Sequence, residues 1–306
     1  MPIDLKESRT LKILSKIDFN MKKNYKFKRK MDKLKAVIYN PPHEIKVWDH
    51  LIRNGLRDVH VRIFQPPHAN ENETILFFHG GGWVTGDIDS YRPVCMNLAE
   101  HTNHNVIAVD YRLSPEHKFP AAVEDCYFVT ECLYNNYFEG LVPNKGILVG
   151  DSAGGNIAAV VSLMARDKKA FMPESQILIY PSTYNDHTEE SPFESIRENG
   201  TQYLLTAKMI QDYISLYQSS DEDLLNPYFA PLFSYDFSNQ PNTLLISAEL
   251  CPLRDEGEFY GKKLKEARNY TEIHRIQNSL HGFFSMPYAY EKVKLTYNII
   301  NNFLKR

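Results

Sequence analysis

The 306-residue sequence predicts an α/β protein with a mostly parallel central sheet, flanking helices and a helical cap. Three observations carry that expectation. Short apolar runs recur without polar alternation, as in strands buried on both faces of a parallel sheet. Helical stretches separate most of those runs, as right-handed crossovers require. A serine sits in a glycine-flanked turn between one such run and one such helix.

Taken in order, the first ~40 residues read as helical, with Leu11, Leu14, Ile17 and Met21 at three-to-four spacing and Asp4-x-x-Glu7 resembling a capping box. Asn40-Pro41-Pro42 ends that segment. Ile45–Leu51 and Val59–Ile63 alternate with period two, like half-buried antiparallel strands near a sheet edge, and Arg53-Asn54-Gly55 supplies a turn between them. The short apolar runs are Thr74–Phe78, Val106–Val109, Ile147–Val149, Ile177–Tyr180 and Thr243–Ser247, with a last strand at Glu272–Ile276. Helices are expected at Pro120–Tyr134, Ala153–Ala165, Glu256–Ala267 and Ala289–Phe303. The polar, tyrosine-bearing segment 183–228 interrupts the alternation and reads as an inserted cap. The expected organisation is cap helices over 1–45, a core over 46–182 and 229–306, and the inserted segment 183–228.

Composition narrows the function classes. With 43% hydrophobic and 12% aromatic residues the chain can bury a large core, which excludes a disordered chain. No stretch approaches the ~20 apolar residues of a membrane span. Met1 to Lys16 lacks the apolar core of a secretory signal, so a cytoplasmic protein with free thiols is expected. Cys95, Cys126, Cys132 and Cys251 have no CxxC spacing, which argues against zinc. Residues 1–40 hold twelve Lys/Arg against Asp4, Glu7, Asp18 and Asp32, a balance of +8 that leaves −11 for the rest within the total of −3. A solvated cap helix accounts for this most simply, and attachment to an anionic membrane surface is the alternative. The acidic body and the lack of a recognition motif argue against nucleic acid.

Two motifs carry chemistry. Gly150-Asp151-Ser152-Ala153-Gly154 is a G-x-S-x-G nucleophile elbow in its strand–turn–helix context. Projecting a serine from so sharp a turn strains the backbone, and glycine on either side avoids clashes with the adjoining strand and helix. The Ala153 amide, at the positive end of the helix dipole, faces developing negative charge. His79-Gly80-Gly81-Gly82 leaves a strand as a nest of N–H groups suited to an anion, and no Walker lysine follows it. The anion expected here is the oxyanion of an acyl-transfer intermediate, held by Gly81, Gly82 and Ala153. His281 lies in a loop after the last strand and follows the serine in chain order, which makes it the candidate base for Ser152. His79 reads as structural, and Trp83 as either pocket lining or core.

The runs His79–Trp83, Asp110–Glu116, Phe119–Ala122, Gly150–Asn156 and His281–Phe283 together resemble the hormone-sensitive-lipase family of bacterial esterases over about residues 70–305. The resemblance implies an α/β-hydrolase core and hydrolysis of short acyl esters. It implies Ser152 as nucleophile, His281 as general base, Gly81 and Gly82 as oxyanion donors, and no metal or organic cofactor. An aryl-amidase or deacetylase, and a catalytically silent small-molecule receptor, are the alternative readings. A homodimer through a late strand or the terminal helix is open.

The sequence departs from the family at the third triad position, where Cys251 stands in place of the family's aspartate in Cys251-Pro252-Leu253-Arg254-Asp255. A neutral thiol stabilises imidazolium poorly. Asp255, one helical turn on, ranks first as a substitute acid, ahead of Glu249 and Asp186.

Overall fold

The computed structural model describes residues 20–37, 44–53, 58–138, 141 and 145–306. Eight strands form one sheet in the order β1-β2-β4-β3-β5-β6-β7-β8. They are β1 (Lys46–Arg53), β2 (Asp58–Gln65), β3 (Asn70–Phe78), β4 (His104–Asp110), β5 (Gly146–Asp151), β6 (Ser175–Ile179), β7 (Asn242–Leu250) and β8 (Thr271–Leu280). β1 pairs antiparallel with β2, β2 antiparallel with β4, and every other neighbour pair is parallel. The two strands that alternate in sequence are therefore the antiparallel edge. β1 is exposed along most of its length, whereas every residue of β5 and β6 is buried, which is why Ile147–Val149 and Ile177–Ile179 run without polar alternation, with the buried polar residues Asp151, Ser175 and Gln176 at the strand ends.

Eight helices are described: α1 (Met21–Val37), α2 (Arg92–Thr102), α3 (Ala121–Tyr134), α4 (Ala153–Lys168), α5 (Glu194–Asn199), α6 (Ala207–Tyr217), α7 (Arg254–Glu266) and α8 (Glu291–Leu304). Three of them were not expected. α2 buries Val94, Cys95, Leu98 and Ala99 and ends at Asn103, which takes the left-handed conformation that stops a helix. α5 and α6 lie inside 183–228, which reads as polar overall. α6 nevertheless buries Ile210, Tyr213, Ile214 and Tyr217 at helical spacing, and its Thr206 cap accepts from Met209 N–H. The expected elements that use Leu11, Leu14, Ile17, Asp4, Glu7, Asn40, Pro41, Pro42, Asn54 and Gly55 lie outside the described residues.

α1 packs on α6 through a small cluster of Met21, Val84 and Tyr213. Arg29 ties the same helix down: it donates to the carbonyls of Val84 (2.7 Å) and Ser114 (2.8 Å) and forks onto Glu116. The glycine loop, Ser152, Cys251 and His281 all follow the carboxyl ends of parallel strands, β3, β5, β7 and β8. Open parallel sheets place their sites there, because successive loops converge at that edge.

Candidate active site

β5 ends at Asp151, and the chain turns through Ser152 into α4. Ser152 takes φ 57° and ψ −118°, a conformation strained for an L-residue. A Cβ on Gly154 would stand 1.9 Å from the Phe78 carbonyl oxygen, so only glycine lets α4 start this close to β3. Ser152 Oγ lies 2.9 Å from His281 Nε2. Burial pushes the imidazole down to about 3, so it is neutral at pH 7 and able to accept a proton.

The glycine loop closes the other side. His79 Nδ1 lies 2.8 Å from the Gly80 carbonyl, and Tyr111 donates to the His79 carbonyl at 2.6 Å. His79 is thus a buried brace, pushed down to about 4 by that burial. Gly81 and Gly82 take φ of 118° and 63°, open to glycine at little cost. Among the described residues, the amides of Gly81, Gly82 and Ala153 have no protein acceptor. All three residues line the same cavity as Ser152 and His281.

Asp151 ties these loops together and went unassigned at the level of sequence. Its Oδ1 accepts from Gly80 N–H at 2.9 Å, and its Oδ2 accepts from the hydroxyls of Tyr91 (3.1 Å) and Tyr180 (3.4 Å). Tyr180 in turn accepts from Phe284 N–H at 3.3 Å, and its ring centroid stands 4.6 Å from that of His281. One buried carboxylate therefore links the glycine loop, the elbow and the histidine loop. Burial raises it to about 6 against those hydrogen bonds. The only sequence signal was its place in the elbow motif, since the tyrosines come from distant segments.

The third position is corrected by the structure. Asp255 does not face His281. Its Oδ2 accepts from Ser195 N–H at 2.7 Å and its Oδ1 pairs with Arg254 Nε at 2.7 Å. As the second residue of α7 it projects from the first helical turn toward α5, where burial raises its pKa and the Arg254 and Ser195 bonds more than offset that. Glu249 accepts from Asn278 N–H at 2.6 Å, and Asp186 from Thr188 N–H at 2.8 Å. The group at His281 Nδ1 is Cys251 Sγ, 3.1 Å away.

The cavity has a volume of about 710 Å³. Leu204, Leu205, Ile210 and Tyr213 line it from 183–228, and Lys28 and Asp32 from α1. Trp83 is buried, stacked on Tyr217 at 4.5 Å, and still reaches the cavity wall, so both readings of it apply. No group of three His, Cys, Asp or Glu residues able to hold a metal occurs among the described residues. Among them too, no helix is long and apolar enough to cross a membrane.

A family model for the alpha/beta hydrolase fold matches residues 75–285. An arylesterase of Saccharolobus solfataricus is 34% identical over 294 residues, 94% of each chain. An ethyl acetate hydrolase of Pseudomonas putida is 34% identical over 75% of this chain and 74% of its own length. The solved structure of a hyperthermophilic esterase from the archaeon Pyrobaculum calidifontis superposes with a TM-score of 0.89 at 34% identity, covering 100% of this chain and 98% of the other. Motif order, sheet topology and these likenesses agree: the chain belongs to the alpha/beta hydrolases, in their hormone-sensitive-lipase-like group of carboxylic ester hydrolases.

Proposed function

We propose that the protein is a serine carboxylesterase that cleaves short-chain acyl esters through an acyl-enzyme. The observation that carries this is the 2.9 Å approach of Ser152 Oγ to a neutral His281 Nε2, beside three amides that have no protein acceptor among the described residues. With the ester carbonyl carbon at Ser152 Oγ, its oxygen falls among the amides of Gly81, Gly82 and Ala153. His281 Nε2 takes the serine proton as the Oγ–C bond forms and then delivers it to the departing alcohol. A water then bonds to the acyl carbon as it gives a proton to the same nitrogen, and that proton passes to Ser152 Oγ as the Oγ–C bond breaks and the acid leaves.

Residues 183–228 and α1 act as the cap that sets substrate size. The Tyr213 ring supports a short acyl group, because it packs so closely on the glycine loop that a Cβ at Gly82 would lie 2.4 Å from it. The test is labelling by a fluorophosphonate probe and turnover of p-nitrophenyl acetate and butyrate, with Ser152→Ala beside the unmodified protein. Labelling and turnover that vanish in Ser152→Ala are expected. A folded, unmodified protein that neither labels nor turns over would refute the reading.

A further inference from the structure

Cys251 lies just past the end of β7 with no solvent exposure. Its Sγ is 3.1 Å from His281 Nδ1, and the Leu253 N–H donates to the same sulfur at 3.3 Å. The surrounding carboxylates are committed elsewhere: Glu249 to Asn278, Asp255 to Ser195 and Arg254, Glu256 to His187, Thr183 and Tyr184. We propose that Cys251 is the positioning residue of this site, its uncharged sulfur accepting from His281 Nδ1–H where a carboxylate would otherwise stand. The proposal rests on the reading of Ser152 and His281 as nucleophile and base.

An uncharged partner changes the chemistry in two ways. A carboxylate only accepts, so it enforces the tautomer with hydrogen on Nδ1 and a free lone pair on Nε2. A thiol both accepts and donates. When S–H donates to Nδ1, the ring proton sits on Nε2, points at Ser152 and cannot be replaced by the serine proton. Two tautomers then share the histidine, and only one is competent. The second change concerns charge. Once His281 takes the serine proton, an imidazolium faces a neutral sulfur. The groups packed around the pair are Ser152 from the elbow and Tyr180 after β6, with Arg254 and Glu256 from α7 acting on the thiol. None places an anion at His281, and burial lowers the imidazole while it raises the thiol. The pair is held in line by geometry, without the electrostatic support a carboxylate supplies.

The experiment measures kcat and KM for p-nitrophenyl butyrate across pH for the unmodified protein and for Cys251→Asp, Cys251→Ser and Cys251→Ala, with folding checked by thermal denaturation. Cys251→Asp is expected to raise kcat about a hundredfold or more with little change in KM, since loss of a triad acid costs up to about 10⁴. It should also move the acid limb of kcat/KM upward, because a carboxylate stabilises imidazolium. Cys251→Ser keeps a donor–acceptor group and should retain more kcat than Cys251→Ala, which leaves Nδ1 without a partner. A folded Cys251→Ala with the unmodified kcat and pH profile would overturn the proposal, as would a folded Cys251→Asp with no gain. Loss of fluorophosphonate labelling across all folded variants, Cys251→Asp included, would instead overturn the esterase reading on which it rests.

Discussion

Replacing Asp151 by asparagine should change how stability depends on pH, by an amount the structure sets. The carboxyl is fully enclosed and raised from 3.8 to about 6, with burial as the largest cause. Between those two values the folded state holds a proton that the unfolded chain releases, so stability from this group is present below pH ~4 and lost as pH rises toward ~6. A shift of about two units corresponds to about 3 kcal/mol over the whole window, at 1.36 kcal/mol per unit. Between about pH 4.5 and 7.5 the linkage relation leaves about 2 kcal/mol of that difference. Asparagine keeps an acceptor for Gly80 N–H and cannot ionise, so Asp151→Asn should gain about 2 kcal/mol on the unmodified protein over that interval. Urea unfolding of both proteins at the two pH values measures it. Parallel stability curves, or a difference that moves the other way, would refute the argument that an enclosed Asp151 ionises at a cost.

Two more substitutions probe the placement of charged groups. Asp255→Ala removes the acceptor of Ser195 N–H and the partner of Arg254, and should cost about 1–2 kcal/mol of stability. Its kcat/KM should stay within about threefold of the unmodified value, and a hundredfold loss of kcat in a folded variant would contradict its position away from His281. Arg29→Ala frees α1 from the Val84 and Ser114 carbonyls. We expect a loss of about 1–3 kcal/mol by denaturant unfolding and a raised KM, because Lys28 and Asp32 of the same helix line the cavity.

Much of the sheet was legible because strands buried on both faces carry apolar centres without polar alternation, as Ile147–Val149 of β5 and Ile177–Ile179 of β6 do. Helices α5 and α6 were not legible as elements. α5 carries one apolar residue, Ile196, the apolar positions of α6 are diluted by polar residues, and their burial depends on α7, α1 and the cavity rim coming together. Asp151 was visible as a letter in a motif, but its role depends on Tyr91 and Tyr180, 60 and 29 positions away.

The sequence alone determined the elbow and the glycine loop, since a turn sharp enough to project Ser152, and a loop that offers successive N–H groups, restrict the residues allowed over a few consecutive positions. It also pointed to His281 as the partner of the serine, through its loop after the last strand, its place after Ser152 in chain order and the family motif His281–Phe283. Only the tertiary structure decided the third position. Cys251 and Asp255 are separated by about one helical turn, and which of them meets His281, 30 residues downstream of the cysteine, depends on where β7 ends and how the first turn of α7 is aimed. The strand end directs Cys251 at the imidazole, while the helix turns Asp255 away to the start of α5. The motif marked position 251 as the family's acid position, but that Asp255 is held elsewhere is set by packing between segments distant in sequence.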